Sequence, residues 1–200
     1  MNAMNSLTNE ELGSTAQRER RRRILAATIE LASQGGFDAV QMRAVSERAD
    51  VALGTLYRYF PSKIHLLVSA LQVQFELSAA AMEGKEIPGE TAADRVLFIL
   101  NRNTKMMQRD PNLTEALTRA FMFADATVST EIHAVGMMLT GVLNRAIDPA
   151  AGAIPTDDQV AVARVIGDVW LALLVGWVTG RTSTEEVSRN LSVAIHLLLR

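Results

Sequence analysis

Thr55, Tyr57, Arg58 and Tyr59 stand within five residues of one another, and Lys63 follows four residues later. Hydroxyl, phenol and cationic groups at that density are hydrogen-bond donors suited to a polyanion. Thr55, Tyr57 and Tyr59 can donate to phosphate oxygens, and Arg58 to a phosphate or to the edge of a guanine. Gly54 permits close approach of a backbone, while Leu53 and Thr55 offer methyl groups to a thymine methyl. Gln41 and Arg43 lie just upstream, and before them comes the run RERRRR at 18–23. Contacts from Arg20, Arg21, Arg22 and Arg23 to phosphates or a minor groove would make binding fall steeply with salt. Residues 17–63 hold nine Lys/Arg against five Asp/Glu, so this quarter is at net +4 and the remainder at −6. One basic end on an acidic body points to a single polyanion-binding surface.

Such side chains need rigid carriers, and the apolar spacing supplies helices. Met42, Val45 and Ala49 recur at i, i+3 and i+7, while Leu56 and Phe60 share a face at i, i+4. Two short helices, at about 42–49 and 53–60, are thus predicted to pack on each other across a turn at Asp50-Val51. A helix-turn-helix sets its second helix in the major groove with its first residues on base edges. A longer helix at about 15–34 precedes them, ended by Gly35-Gly36. Another, at about 62–82, starts after Pro61 with Ser62 as N-cap. Lys63 in its first turn opposes the helix dipole, which suits a phosphate at that point. Five more helices are predicted at about 92–109, 112–124, 128–147, 157–180 and 184–199, with Thr156 and Ser183 as caps. No segment alternates with period two, so the fold class is all-α.

The order of basic arm, short helix, turn, aromatic-rich short helix and Pro-Ser-Lys resembles the TetR family of repressors. Gly35-Gly36-Phe37 closes the first helix as in that family, and GTLYRYFPSK at 54–63 is nearly its consensus. The motif covers 18–70; helix count and length extend the likeness to the whole chain. The resemblance implies nine helices in two domains. These are a flexible tail (1–14), a helix-turn-helix DNA-binding domain (15–63) and a ligand-binding and dimerisation domain (64–200), joined by the helix at 62–82. A polar joint at 84–91 is the proposed boundary between packed units. It also implies that Arg43, Thr55, Tyr57, Tyr59 and Lys63 occupy DNA-contacting positions. Val40-Gln41 departs from the Thr-Thr common there, leaving Gln41's amide as the phosphate donor, and Leu53 replaces a commonly polar residue.

The body has to hold whatever regulates the DNA-binding end. Five of nine methionines lie between 106 and 138. Met106, Met107, Met122, Met137 and Met138, with Phe121, Trp170, Leu174 and Trp177, suit the pliable lining of an apolar cavity. Asn103, Arg119 and Asp168 are polar residues embedded in apolar stretches, the few well-placed groups such a cavity needs. Val162, Val165, Val169, Leu191, Ile195 and Leu198 give the last two helices broad apolar faces, read as a two-fold homodimer interface. Within the TetR family, 41–71, LTEALTRAFMFADA and ARVIGDVWLALLVGW look like the repressors of actinobacterial sterol catabolism. That implies double-stranded operator DNA as partner and an apolar effector such as a steroid-CoA thioester. A repressor of an efflux or fatty-acid gene set stays open, as does a DNA-binding protein without a ligand. An enzyme using His133 or Asp168 is disfavoured by the lack of a phosphate loop, a nucleophile triad or a metal-spaced cluster. No catalytic residue, metal or cofactor is therefore expected. Absence of Cys fits a cytoplasmic protein, and the apolar run at 165–178 is too short for a membrane span.

Overall fold

The structure, a computed structural model, describes residues 9–150 and 155–199. Its helices are α1 (Asn9–Ala39), α2 (Met42–Arg48), α3 (Leu53–Tyr59), α4 (Lys63–Ala80), α5 (Ala92–Gln108), α6 (Pro111–Met122), α7 (Ser129–Ile147), α8 (Asp157–Val178) and α9 (Thr184–Leu198). A 3-10 turn at Ala126–Val128 precedes α7, and there is no strand among the described residues. The expected all-α, nine-helix architecture is observed among the described residues.

Local chemistry explains most boundaries. Ser62 accepts from the His65 backbone N–H, and Thr156 and Ser183 form capping boxes closed by Gln159 and Glu186. Two further caps were not anticipated: a Thr91–Asp94 capping box on α5, and Asp110 ahead of Pro111 on α6. The α2 helix ends in a Schellman motif, with Val51 N–H donating to Ser46 C=O and Asp50 N–H to Glu47 C=O. Asp50 there takes φ +52. Gly35 and Gly36 break α1 as predicted, Gly36 at φ +67, after which a last turn runs to Ala39. The start of α1 differs from expectation. Helix begins at Asn9, inside the predicted tail, whose first eight residues lie outside the described ones. The arginine run is therefore mid-helix and escapes the unfavourable N-terminal dipole.

Two hydrophobic clusters hold the molecule. The first joins Ile24, Val45, Leu56 and Leu67 of the N-terminal helices to Ala116, Leu117 and Ala120 of α6. The second gathers Leu100, Leu143, Ile166, Trp170, Leu191 and Ile195 from α5 and α7–α9. Phe75 of α4 packs on both, edge-on to Trp170 at 6.2 Å. Packing thus runs straight through residue 63, because α6 belongs to the N-terminal cluster as much as to the body. By length and composition, 126–147 and 157–178 are both long and apolar enough to cross a membrane. In α8, Ala163, Ile166, Trp170 and Leu174 are buried in the second cluster.

Candidate nucleic-acid interface and effector cavity

Leu56 and Phe60 are buried, which turns Leu53, Gly54, Tyr57 and Arg58 to the outside of α3 as one strip. An added Cβ on Gly54 would meet nothing within 4 Å, so the strip has an open notch at its start. Thr55 flanks it, half-buried, 3.4 Å from an Arg58 guanidinium nitrogen. Tyr59 leans toward the core, its ring 6.3 Å from that of Phe60, with only part of its surface free. Gln41, exposed at the N-cap of α2, makes no side-chain capping bond, so its amide is uncommitted. Arg43 is exposed and paired with Glu47 at 3.1 Å.

The four arginines of α1 divide by what they touch. Arg21 is exposed, 5.8 Å from the centroid of the Phe60 ring, and Arg20 is half-buried. Arg22 is paired with Glu19 at 2.6 Å. Arg23 is turned inward: it donates to the Ala49 carbonyl at 3.0 Å and lies 3.9 Å from Asp50. That bond satisfies the end of α2, so Arg23 holds the turn instead of standing free for phosphate.

Lys63 also differs from expectation. Its ammonium sits 3.8 Å above the Phe37 ring, whose centroid is 4.4 Å from the Arg119 guanidinium carbon. Burial pushes the Lys63 ammonium below its ordinary value, against the pull of Asp38; Arg119 adds to the lowering and Glu115 opposes it. The residue thus belongs to the joint between α1 and α6, and a cation–π contact offsets its unfavourable place at the helix start.

That joint is dense. The Ser33 hydroxyl donates to Asp110 at 2.5 Å, Asn112 donates to the Ser33 carbonyl at 3.1 Å, and the Phe37 N–H donates to Glu115 at 2.9 Å. Arg119 lies 3.6 Å from Asp38 and 3.5 Å from Glu115. Position 36 favours glycine because its backbone lies at φ +67, and an added Cβ would also press on Glu115 Oε2 at 2.9 Å. Arg119, expected in the ligand site, is therefore part of the joint. Its i, i+4 spacing to Glu115 was visible in the sequence; its distant partners Phe37 and Asp38 were not.

The opposite side of α6 faces a cavity of about 70 Å³ between α4, α5, α6 and α8. Of the expected lining residues, Asn103, Met106, Met107 and Trp170 are brought together there. Leu71, Phe75, Ser78, Leu113 and Leu117 line it too and escaped sequence reasoning because they read as ordinary core. Phe121 packs on the first cluster, and Met122 and Met137 are exposed. Neither Met138, Leu174 nor Trp177 lines the cavity; Leu174 is buried in the second cluster. Asp168 is exposed on α8 and does not line that cavity. Helical rotation explains these corrections: one hundred degrees per residue carries neighbours in sequence to different faces.

The expected dimer residues split in the same way. Leu191 and Ile195 are fully buried inside the chain's own core, so they cannot meet a second copy. Val162 packs on that core as well. Val165 and Leu198 are exposed and Val169 half-exposed. Val193 and Leu197, one turn apart and each 56% exposed, extend the apolar surface of α9.

Residues 24–70 match the family model for bacterial regulatory proteins of the tetR family, and 89–198 the tetracyclin repressor-like C-terminal domain. The chain is 55% identical over 194 residues to the HTH-type transcriptional repressor KstR of Rhodococcus jostii, covering 97% of this chain and 89% of that one. It is 51% identical over 193 residues to KstR of Mycobacterium tuberculosis, covering 96% and 86%. A crystal structure of a TetR transcriptional regulator from Rhodococcus sp. RHA1 superposes with a TM-score of 0.84 at 30% identity, covering 92% and 97%.

Proposed function

Because this chain belongs to the TetR family and is a DNA-binding transcriptional repressor, we propose that an apolar effector entering the body releases it from a palindromic operator bound as a homodimer. The effector we infer is a steroid-CoA thioester, and the genes controlled are those of sterol or lipid catabolism. This reading rests on the resemblance to the sterol-catabolism repressors and acts where DNA is found, in the cytoplasm.

One observation carries the mechanism: α6 lines the cavity on one side and is bolted to α1 on the other. Asp110 does both, lining the cavity while accepting from Ser33 and from the Leu113 N–H. Ligand pockets occupy about 300–1,000 Å³, so a cavity of about 70 Å³ must widen to admit a large apolar molecule. Widening displaces α6 and α4 together. Their head-side ends follow through the Ser33–Asp110 and Phe37–Glu115 bonds, and through His65, whose Nε2 lies 3.0 Å from the Thr127 carbonyl. The two reading heads of a dimer then lose the spacing of about 34–36 Å that matches one DNA turn. In energetic terms the ligand prefers the spread body and the operator the closed one, so each weakens the other.

The test is a gel-shift screen over the DNA upstream of neighbouring genes, with and without steroid-CoA thioesters. A palindromic fragment should be retarded by the free protein and released by the thioester. Retardation that persists at saturating thioester overturns the effector reading.

A further inference from the structure

We propose that Asn103 selects the effector's polar feature, its side-chain Nδ2 donating to a carbonyl or hydroxyl oxygen on an otherwise apolar ligand. This deepens the effector reading above and rests on it. Asn103 is 8% exposed and lines both the main cavity and the smaller one beside it. Its orientation follows from its neighbours. Arg102 Nη1 donates to Ser78 Oγ at 3.1 Å, and a guanidinium can only donate. Ser78 accepts from Arg102 through one lone pair and gives its own hydrogen to Asn103 Oδ1, 2.5 Å away, a separation that fits O–H···O and is too short for N–H···O. The amide oxygen is thus engaged, and the nitrogen, with two hydrogens, has no hydrogen-bond partner among the described residues. It is not sealed off either, unlike Gln108 Nε2 and the amide of Asn144, which are enclosed without partners.

Apart from Gln74, the other polar groups at the cavity are already committed. Trp170 Nε1 donates to Thr104 at 2.8 Å, the Thr114 hydroxyl to the Met107 carbonyl at 2.7 Å, and Asp110 holds Ser33 and Leu113. Gln74 is only half-buried and within reach of water. Asn103 is left as the deeply buried donor among side chains such as Phe75, Met106 and Leu117. The Arg102–Ser78 chain polarises its amide and strengthens the donor. A ligand without an acceptor would strand that N–H in an apolar site, whereas one with a well-placed oxygen would satisfy it.

The experiment compares 5α-cholestan-3-one with 5α-cholestane, delivered in cyclodextrin and followed by tryptophan fluorescence of the full-length protein. Each probe is an apolar body of the same shape, and only the first carries an oxygen. The wild type should bind the ketone at least about tenfold more tightly. Asn103→Leu should bind the two alike, without losing affinity for the hydrocarbon. Ser78→Ala, which keeps Asn103 but frees its amide, should narrow the preference; it is the decisive variant if the melting curve shows Asn103→Leu unfolded. Equal binding of both probes by the wild type, or an undiminished preference in the variants, overturns the role of Asn103 alone. If neither probe binds the wild type, the cavity does not take a free sterol body and this inference falls, while the effector reading is judged separately by whether the thioester releases operator DNA.

Discussion

At Gly54 the free protein and the proposed DNA-bound one make opposite demands. Nothing lies within 4 Å of an added Cβ, so Gly54→Ala costs no space in the isolated chain. Alanine also favours a helix by about 0.5–1 kcal/mol over glycine. Gly54→Ala should therefore raise stability by up to about 1 kcal/mol in urea denaturation, yet weaken operator binding by about tenfold or more where a backbone meets the groove. Unchanged affinity would remove Gly54 from the interface. Residue identities of this kind were legible early: the α3 strip, the Asp50-Val51 turn and the Gly35-Gly36 break follow from local spacing. What Arg23, Lys63 and Arg119 do was not. Each is held by groups far away in the chain, the Ala49 carbonyl, the Phe37 ring and Asp38. A basic residue in a basic segment carries no mark of whether it faces solvent or a carbonyl.

Among the helices, the proposed mechanism has α6 transmit and α9 assemble. Ser33→Ala removes one bolt between α1 and α6 while sparing the cavity and the reading strip. Affinity for operator alone and for effector alone should then stay within about twofold, but the drop in operator affinity caused by effector should shrink. Allosteric couplings are typically about 1–3 kcal/mol, so losing one bond is measurable by anisotropy titration. A coupling equal to wild type would route the signal elsewhere. On α9, Leu197→Glu should yield a monomer by sedimentation with little change in stability. Leu191→Ala should leave the oligomeric state alone and cost about 2–5 kcal/mol in denaturant. Helix boundaries were legible to within a few residues, because caps and prolines act locally. Which face of α8 or α9 turns inward was not, since both helices are apolar on more than one side. Asp168 and Leu191 were misplaced for that reason.

For the molecule as a whole, a head at net +4 on a body at −6 directs a polyanion to one end. Operator affinity should fall at least about a hundredfold between 50 and 200 mM salt, since each neutralised phosphate releases counterions. A flat profile would mean that the basic segment does not meet the backbone. The architecture adds regulation to that attraction. The N-terminal hydrophobic cluster includes α6, and α6 walls the cavity, so head and body share one packed helix. The most direct test is operator affinity at fixed salt, measured with and without a saturating steroid-CoA thioester. The account predicts a fall of about five- to 150-fold, the usual span of an allosteric coupling. An operator affinity that the bound thioester leaves unchanged would contradict it.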